Sequence, residues 1–248
     1  GLLGLIVLLA VLAILAGTIG GGVLVLSEGG PRWIGLTAVI WAVLGYLASL
    51  RVPALPPVAP DLRVSLSPFG PTLSILRITK KTRAVFLSVL GISWFWFFGA
   101  AFLTLLPTYA RNTLGAHEHV VTFLLAVFCV GIALGSFLTE RISGKNLELG
   151  LVPFGSLGMT TFTFDLFLLG DPGFAGVDLS VSQLIDQEGS LRILIDLFGL
   201  AMFGGFFTVP LYTLIQERAE PTERARVVAG NNILNALFMA VGAVLLAV

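Results

Sequence analysis

Apolar residues in this chain do not alternate with polar ones. They run almost unbroken through seven stretches, residues 2–26, 33–50, 84–108, 119–139, 147–169, 191–215 and 227–248, separated by short polar breaks. Each run approaches or exceeds the ~20 residues a helix needs to cross a bilayer core. Lipid offers no partners to backbone N–H and C=O groups, so a run of this kind must be helical. The pattern therefore predicts an all-α membrane protein with about seven transmembrane helices. In the first run, Gly17 and Gly21 lie four apart on one helix face, a spacing that lets a neighbouring helix approach closely. Trp33 opens the second run, where an interfacial ring belongs.

The longest polar break is residues 51–83. It carries Arg51, Arg63, Arg77, Lys80, Lys81 and Arg83 against one acid, Asp61, and six prolines, Pro53, Pro56, Pro57, Pro60, Pro68 and Pro71. Prolines remove amide donors and hold the preceding residues extended, so the first part of the break reads as a semi-rigid linker. Residues 72–83, with Leu73, Leu76 and Ile78, read as a short surface helix. The other breaks are a turn at 27–32, a loop at 109–117, the tight turn TERISGKNLE at 139–148, an acidic loop without Lys or Arg at 170–190, and the turn QERAEPTERAR at 216–226. With seven spans, the linker bases, Arg141, Lys145, Arg218, Arg224 and Arg226 share one side. That makes eleven bases, against Arg32 and Arg111 opposite, with Arg192 inside span six. Cytoplasmic loops carry the excess of Lys and Arg, so the linker and the N-terminus are expected in the cytoplasm and the C-terminus outside.

Composition agrees with the pattern: 56% of residues are hydrophobic and 11% charged, with mean hydropathy +1.00, where a soluble domain carries about 25% charged residues. The single cysteine, Cys129, excludes an internal disulfide and reads as a small buried hydrophobe. The sequence does not begin with Met and both ends fall inside apolar runs, so it reads as a segment of a longer protein. Residues 1–26 lack a charged flank and are not a signal peptide. No nucleophile–base set, metal cluster or phosphate-cradling glycine loop is visible. Neither enzyme chemistry, a cofactor, a metal nor a nucleic-acid partner is expected. His117 and His119, flanking Glu118, form only a weak metal signal.

Ionisable groups inside spans are costly, so each is a candidate for function. Arg192 and Asp196 lie four apart at the start of span six, on one helix face. The plain reading is an intrahelical ion pair, with Arg192 snorkelling to the headgroups. The functional one is a cavity in which Arg192 binds a phosphate and Asp196 orients it. Asp165, near the outer end of span five, either reaches the loop or serves a proton or cation relay. Trp94, Phe95, Trp96, Phe97 and Phe98 form the densest aromatic run. Five consecutive positions cover all sides of a helix, so core packing is the plain reading of each; Trp94, Trp96 and Phe97 are the candidates for an apolar wall. Asn231 and Asn235 share a face while Asn232 is offset by about 100°, which suits capping and interhelical hydrogen bonds. Glu140, Arg141 and Lys145 in one turn and Arg224 in the other are candidates for gating clamps, the plain alternative being a solvated basic face.

Two spans, a long basic cytoplasmic linker and a further set of spans with tight turns resemble the major facilitator superfamily. GSFLTERISGK at 135–145 is similar to that family's loop signature between helices eight and nine, with Glu140 for its Asp and Lys145 for its Arg. GISWFWFFGA at 91–100, HVVTFLLAVFCVGIALGS at 119–136, ELGLVPFGSLGM at 148–159 and the linker's PDLRVSLSPF resemble the lysophospholipid transporter branch. The resemblance implies a partial bundle covering about helices five to eleven. Residues 1–50 would be the last two helices of an N-terminal bundle, 51–83 the cytoplasmic linker, and 84–248 most of a C-terminal bundle. It implies inward movement of lysophospholipid for re-acylation in a bacterial inner membrane, with membrane lipid and a fused or associated acyltransferase or acyl-carrier-protein synthetase as partners. The alternatives are a transporter of another solute or drug on the same fold, and a non-transporting membrane anchor for a fused acyltransferase.

Overall fold

A computed structural model describes residues 2–52, 69–144, 146–174 and 178–247 of the chain. The prolines at 53–68 and the candidate Lys145 fall outside the described residues. The helices in order are α1 (Leu2–Val25), α2 (Gly30–Ser49), α3 (Phe69–Thr79), α4 (Arg83–Thr108), α5 (Glu118–Ile142), α6 (Leu151–Leu169), α7 (Val181–Ile185), α8 (Ser190–Arg218) and α9 (Arg224–Ala247). Six of them, α2, α4, α5, α6, α8 and α9, are long and apolar enough to cross a membrane, and α1 is a 24-residue helix without a charged side chain.

The helices outrun their apolar cores at the polar ends. The turn expected at 27–32 shrinks because Gly29, at φ +75°, closes it and α2 begins at Gly30, with Pro31 in the first turn. Proline is tolerated there because its missing N–H would have had no partner anyway. α5 runs on through Ile142 and α8 through Arg218, shortening both turns expected at those ends. At the C-terminal end of α4, Pro107 lies inside the helix, and Tyr109–Thr113 continue as a π-helical turn in which Leu114 N donates to Tyr109 O at 3.1 Å. Part of the expected 109–117 loop is therefore helical. The acidic loop contains α7, opened by a capping box in which Ser180 and Gln183 bond each other's backbone. The loop before α5 and the acidic loop are tied where His117 N donates to Leu179 O (2.9 Å) and Leu179 N to Gly115 O (3.0 Å).

The chain divides into two compact units, 1–62 and 63–248. In the first, α1 packs on α2. Nothing lies within 4 Å of a Cβ placed at Gly17 or Gly21 among the described residues, so the close approach expected on that face is not made there. In the second, α8 is the hub: 61% of its apolar stretch is buried, against 11–28% for α4, α5, α6 and α9. α5, α6 and α4 all pack on α8, and α9 packs on α4. Apolar side chains gather at the two ends. Leu106, Leu114, Val120, Leu124, Ile193 and Leu197 fill one, and Val85, Val89, Ile92, Leu211, Leu214 and Ile215 the other. Between them the helices meet through glycine. A Cβ at Gly131 would sit 2.5 Å from Phe198 O, and one at Gly205 2.5 Å from Ser136 N. Lipid tails are as apolar as Leu, so close packing of small residues, not exclusion of water, holds helices together at this level.

α3 is not a free surface helix. It packs on α9. Thr79 is fully buried and its Oγ1 presses on Gly230, where no Cβ could be placed. Just beyond α3, Lys81 Nζ bonds Glu223 Oε1 at 2.6 Å, in the turn before α9.

Candidate functional site

In the second unit, ionisable side chains of α6 and α8 meet at one place. Arg192, in the first turn of α8, reaches across to α6 and grips Asp165 with two bonds, Nε to Oδ2 at 2.9 Å and Nη2 to Oδ1 at 2.6 Å. The i,i+4 pair expected between Arg192 and Asp196 is thus not formed. A planar guanidinium matches a carboxylate in a two-bond fork, and α6 offers one within reach where Phe162 packs against Gly199 one turn away. Nη1 of Arg192 keeps no protein partner among the described residues. Asp196, one turn further into α8, is only 2% exposed, and its Oδ2 has no hydrogen-bond partner. Tyr109, at the start of the π-turn of α4, also has a buried hydroxyl without a partner. Sequence reasoning missed Tyr109; the signal available was Pro107, two residues before it.

Asp165 lies between Phe164 and Phe167, and these two rings line a groove of about 480 Å³ between α4, α6 and α8. Trp94, Phe95 and Phe98 form its α4 side, Met159 and Thr160 add to α6, and Phe207 comes from α8. The Thr160 hydroxyl donates to Ser156 O at 2.9 Å, so it adds little polarity. Of the wall candidates, Trp94 is in the groove. Trp96 instead donates its Nε1–H to the Tyr212 hydroxyl at 3.1 Å, and the Phe97 ring stacks on Trp94 at 5.2 Å while packing against Gly242 of α9. Phe95 and Phe98 occupy the groove positions in their place.

Elsewhere the polar residues serve packing. Ser93 donates to Asn235 Oδ1 at 2.9 Å in the buried α4–α9 contact; Asn231 is buried with its Oδ1 unpartnered, and Asn232 is exposed. Among the described residues, Glu140, Arg141 and Arg224 form no ion pair. Arg141 lies over the Phe137 ring at 5.1 Å, and the ion pair at that end is Lys81–Glu223. His117 caps α5, its ring stacked on His119, and Arg111 pairs with Glu118. No cluster of three or more metal-ligating side chains occurs among the described residues.

A bundle of long apolar helices, with an Arg–Asp pair joining two of them, defines a multi-pass helical membrane protein. Residues 1–243 match the family model of the Major Facilitator Superfamily, and the chain belongs to that family. It is similar to proteins named lysophospholipid transporter LplT: 30% identical over 89% of this chain to that of Klebsiella pneumoniae, 29% over 89% to that of an Enterobacter species, and 28% over 93% to that of Citrobacter koseri. These alignments cover 50–52% of the relatives, so the chain spans about half the length of the curated relatives it matches. No solved structure matches.

Proposed function

We propose that the chain is part of a transporter that moves lysophospholipid inward across a bacterial inner membrane, where it is re-acylated. The observation that carries this reading is the 30% identity, sustained over 89% of the chain, with a protein named lysophospholipid transporter. The geometry supports it. A lysophospholipid has a charged head and one acyl chain, so its carrier needs a polar patch beside an apolar wall. Arg192, with Nη1 uncommitted, would take a phosphate oxygen while Asp165 holds the guanidinium plane. The aromatic groove beginning one residue from Asp165 would take the acyl chain. The eleven-to-two bias of bases supports a cytoplasmic linker joining the two units. On this reading the fused or associated partner is an acyltransferase or acyl-carrier-protein synthetase on the cytoplasmic side.

The test is lysophospholipid uptake by the full-length protein in vesicles. Arg192→Ala should abolish uptake and Arg192→Lys should restore only part of it, because an ammonium cannot hold Asp165 in a fork and still present a donor in the same plane. Undiminished flux in Arg192→Ala would remove Arg192 from the site. Uptake of other amphiphiles, but not of lysophospholipid, by the unaltered protein would overturn the substrate assignment.

A further inference from the structure

We propose that His117 is a pH-sensitive latch: neutral, it fastens the start of α5 to the acidic loop that leads through α7 into α8; protonated, it lets go. One residue does two jobs here. Its side chain is the N-cap of α5, with Nδ1 accepting from His119 N at 3.3 Å. Its backbone N donates to Leu179 O at 2.9 Å, and Leu179 N returns a bond to Gly115 O at 3.0 Å. Asp178, at φ +56°, turns the acidic loop so that Leu179 can make both bonds. Beneath the tie, Leu114, Ala116, Leu179 and Leu184 are buried in one core. The two imidazole rings above it are exposed, so protons reach them freely.

The choice of cap is what makes the tie sensitive to acid. Most N-caps are Ser, Thr, Asp or Asn, whose oxygens keep their lone pairs near neutral pH. An imidazole changes charge between about pH 5 and 8. A protonated His has N–H donors on both ring nitrogens, so Nδ1 would then face the His119 N–H donor to donor. The new charge would also sit at a helix N-terminus, which disfavours cations. The His119 ring lies stacked on it, centroids 4.9 Å apart, so charging both sets two cations face to face. The remaining charged groups around His117 are Arg111, Glu118 and Asp178, which share with it a pocket of about 340 Å³. Arg111, from the π-turn after α4, is already paired with Glu118 of α5. α7 contributes no ionisable residue. That leaves Asp178, on the far wall of the pocket, as the acceptor toward which a charged His117 would turn.

Each protonation state thus has its own partner: His119 N for the neutral ring, Asp178 for the charged one. The sign follows from the cap. The closed tie uses the unprotonated ring, so it holds at high pH and loosens as pH falls through the imidazole range. Turning the ring toward Asp178 gives up the cap, and the same residue's backbone bond to Leu179 O goes with it. The change stays local. Deeper in the bundle α5 and α8 meet backbone to backbone at Gly131 and Gly205, which carry no titratable group. Acid therefore frees the loops at this end without parting the helices below.

Amide hydrogen exchange on the full-length protein in detergent tests this, read at residues 116–120 and 178–181. His117→Asn is the reference, because Asn caps a helix at every pH. Dividing the unaltered protein's rates by those of His117→Asn at the same pH removes the intrinsic pH dependence of exchange. At pH 8 the ratio should be near one. At pH 5.5 it should rise roughly five- to tenfold, the weight of one lost cap. His119→Gln should keep the response, since the cap uses only the backbone of that residue, and Asp178→Asn should move it to lower pH. A ratio that does not change between the two pH values would overturn the latch. So would an equal rise at the buried residues 197–200 of α8, which would mean that acid loosens the whole bundle, or a response lost in His119→Gln and unmoved in Asp178→Asn.

Discussion

Substituting Gly135 by alanine tests the glycine level that holds α5 against α8. The added Cβ would run into the Met202 carbonyl, with the carbonyl carbon at 2.7 Å and Cα at 2.9 Å, where ordinary contact begins at 3.4 Å. The obstacle is backbone, so no side chain can rotate away. α5 and α8 must open by roughly 0.5–1 Å, a gap that forfeits a quarter to a half of each van der Waals contact across it. Overpacking of this kind costs about 1–3 kcal/mol, and the better helix propensity of alanine returns about 0.5–1. The expected net loss is about 1–2 kcal/mol, roughly a five- to thirtyfold shift in the folding equilibrium. Gly99→Ala is the internal control: nothing lies within 4 Å of its Cβ, so it should be neutral or stabilising. Denaturant titration of the purified full-length protein in detergent, followed by tryptophan fluorescence, reads both. If Gly135→Ala is as stable as Gly99→Ala, the helices do not meet through glycine at this level and the packing argument fails.

For topology, in a Cys129→Ala background, cysteines at Lys80 and at Glu188 should react with an impermeant label from opposite sides of the membrane; labelling of both from the outside would overturn the orientation. In the buried α4–α9 contact, Ser93→Ala leaves Asn235 Oδ1 without its donor and should destabilise by roughly 1–2 kcal/mol, while adding Asn235→Leu should recover most of the loss. Recovery failing in the double variant would mean the pair does more than satisfy itself.

The spans were legible because each is apolar throughout, and hydropathy needs no knowledge of neighbours. Their ends were less so. Thr139–Ile142 and Gln216–Arg218 carry no apolar signal, yet both prolong helices, and Pro31 marks a helix start although it looks like a turn residue. Relative rotation of the helices was not legible at all. Arg192 has a carboxylate four residues away on its own face, and local spacing favours that partner. Only the way α6 seats on α8 brings Asp165 close enough to take its place. The glycines make the same point. Gly17 with Gly21, and Gly131 with Gly135, have identical spacing, but the chain packs a helix onto the second pair and leaves the first open among the described residues. The aromatic run was readable as a cluster, while its division between groove (Trp94, Phe95, Phe98) and helix contact (Trp96, Phe97) depends on where α6, α8 and α9 lie.

The seating of α3 on α9 changes what kind of mechanical part the basic segment is. Through Thr79, Gly230 and the Lys81–Glu223 bond, its second half is fastened to the second unit. The connection left between the end of α2 and the start of α3, residues 50–68, spans at most about 65 Å fully extended. Arg77, Lys80, Lys81 and Arg83 therefore ride on the second unit as fixed cargo. At a negatively charged leaflet each such base is attracted by about 1 kcal/mol. On the positive-inside orientation, anionic lipid would then act as a ballast mainly on this unit, the first unit offering Arg51 at the end of α2. With that orientation, the lipid composition of the inner leaflet would become a setting of how that unit rests in the membrane.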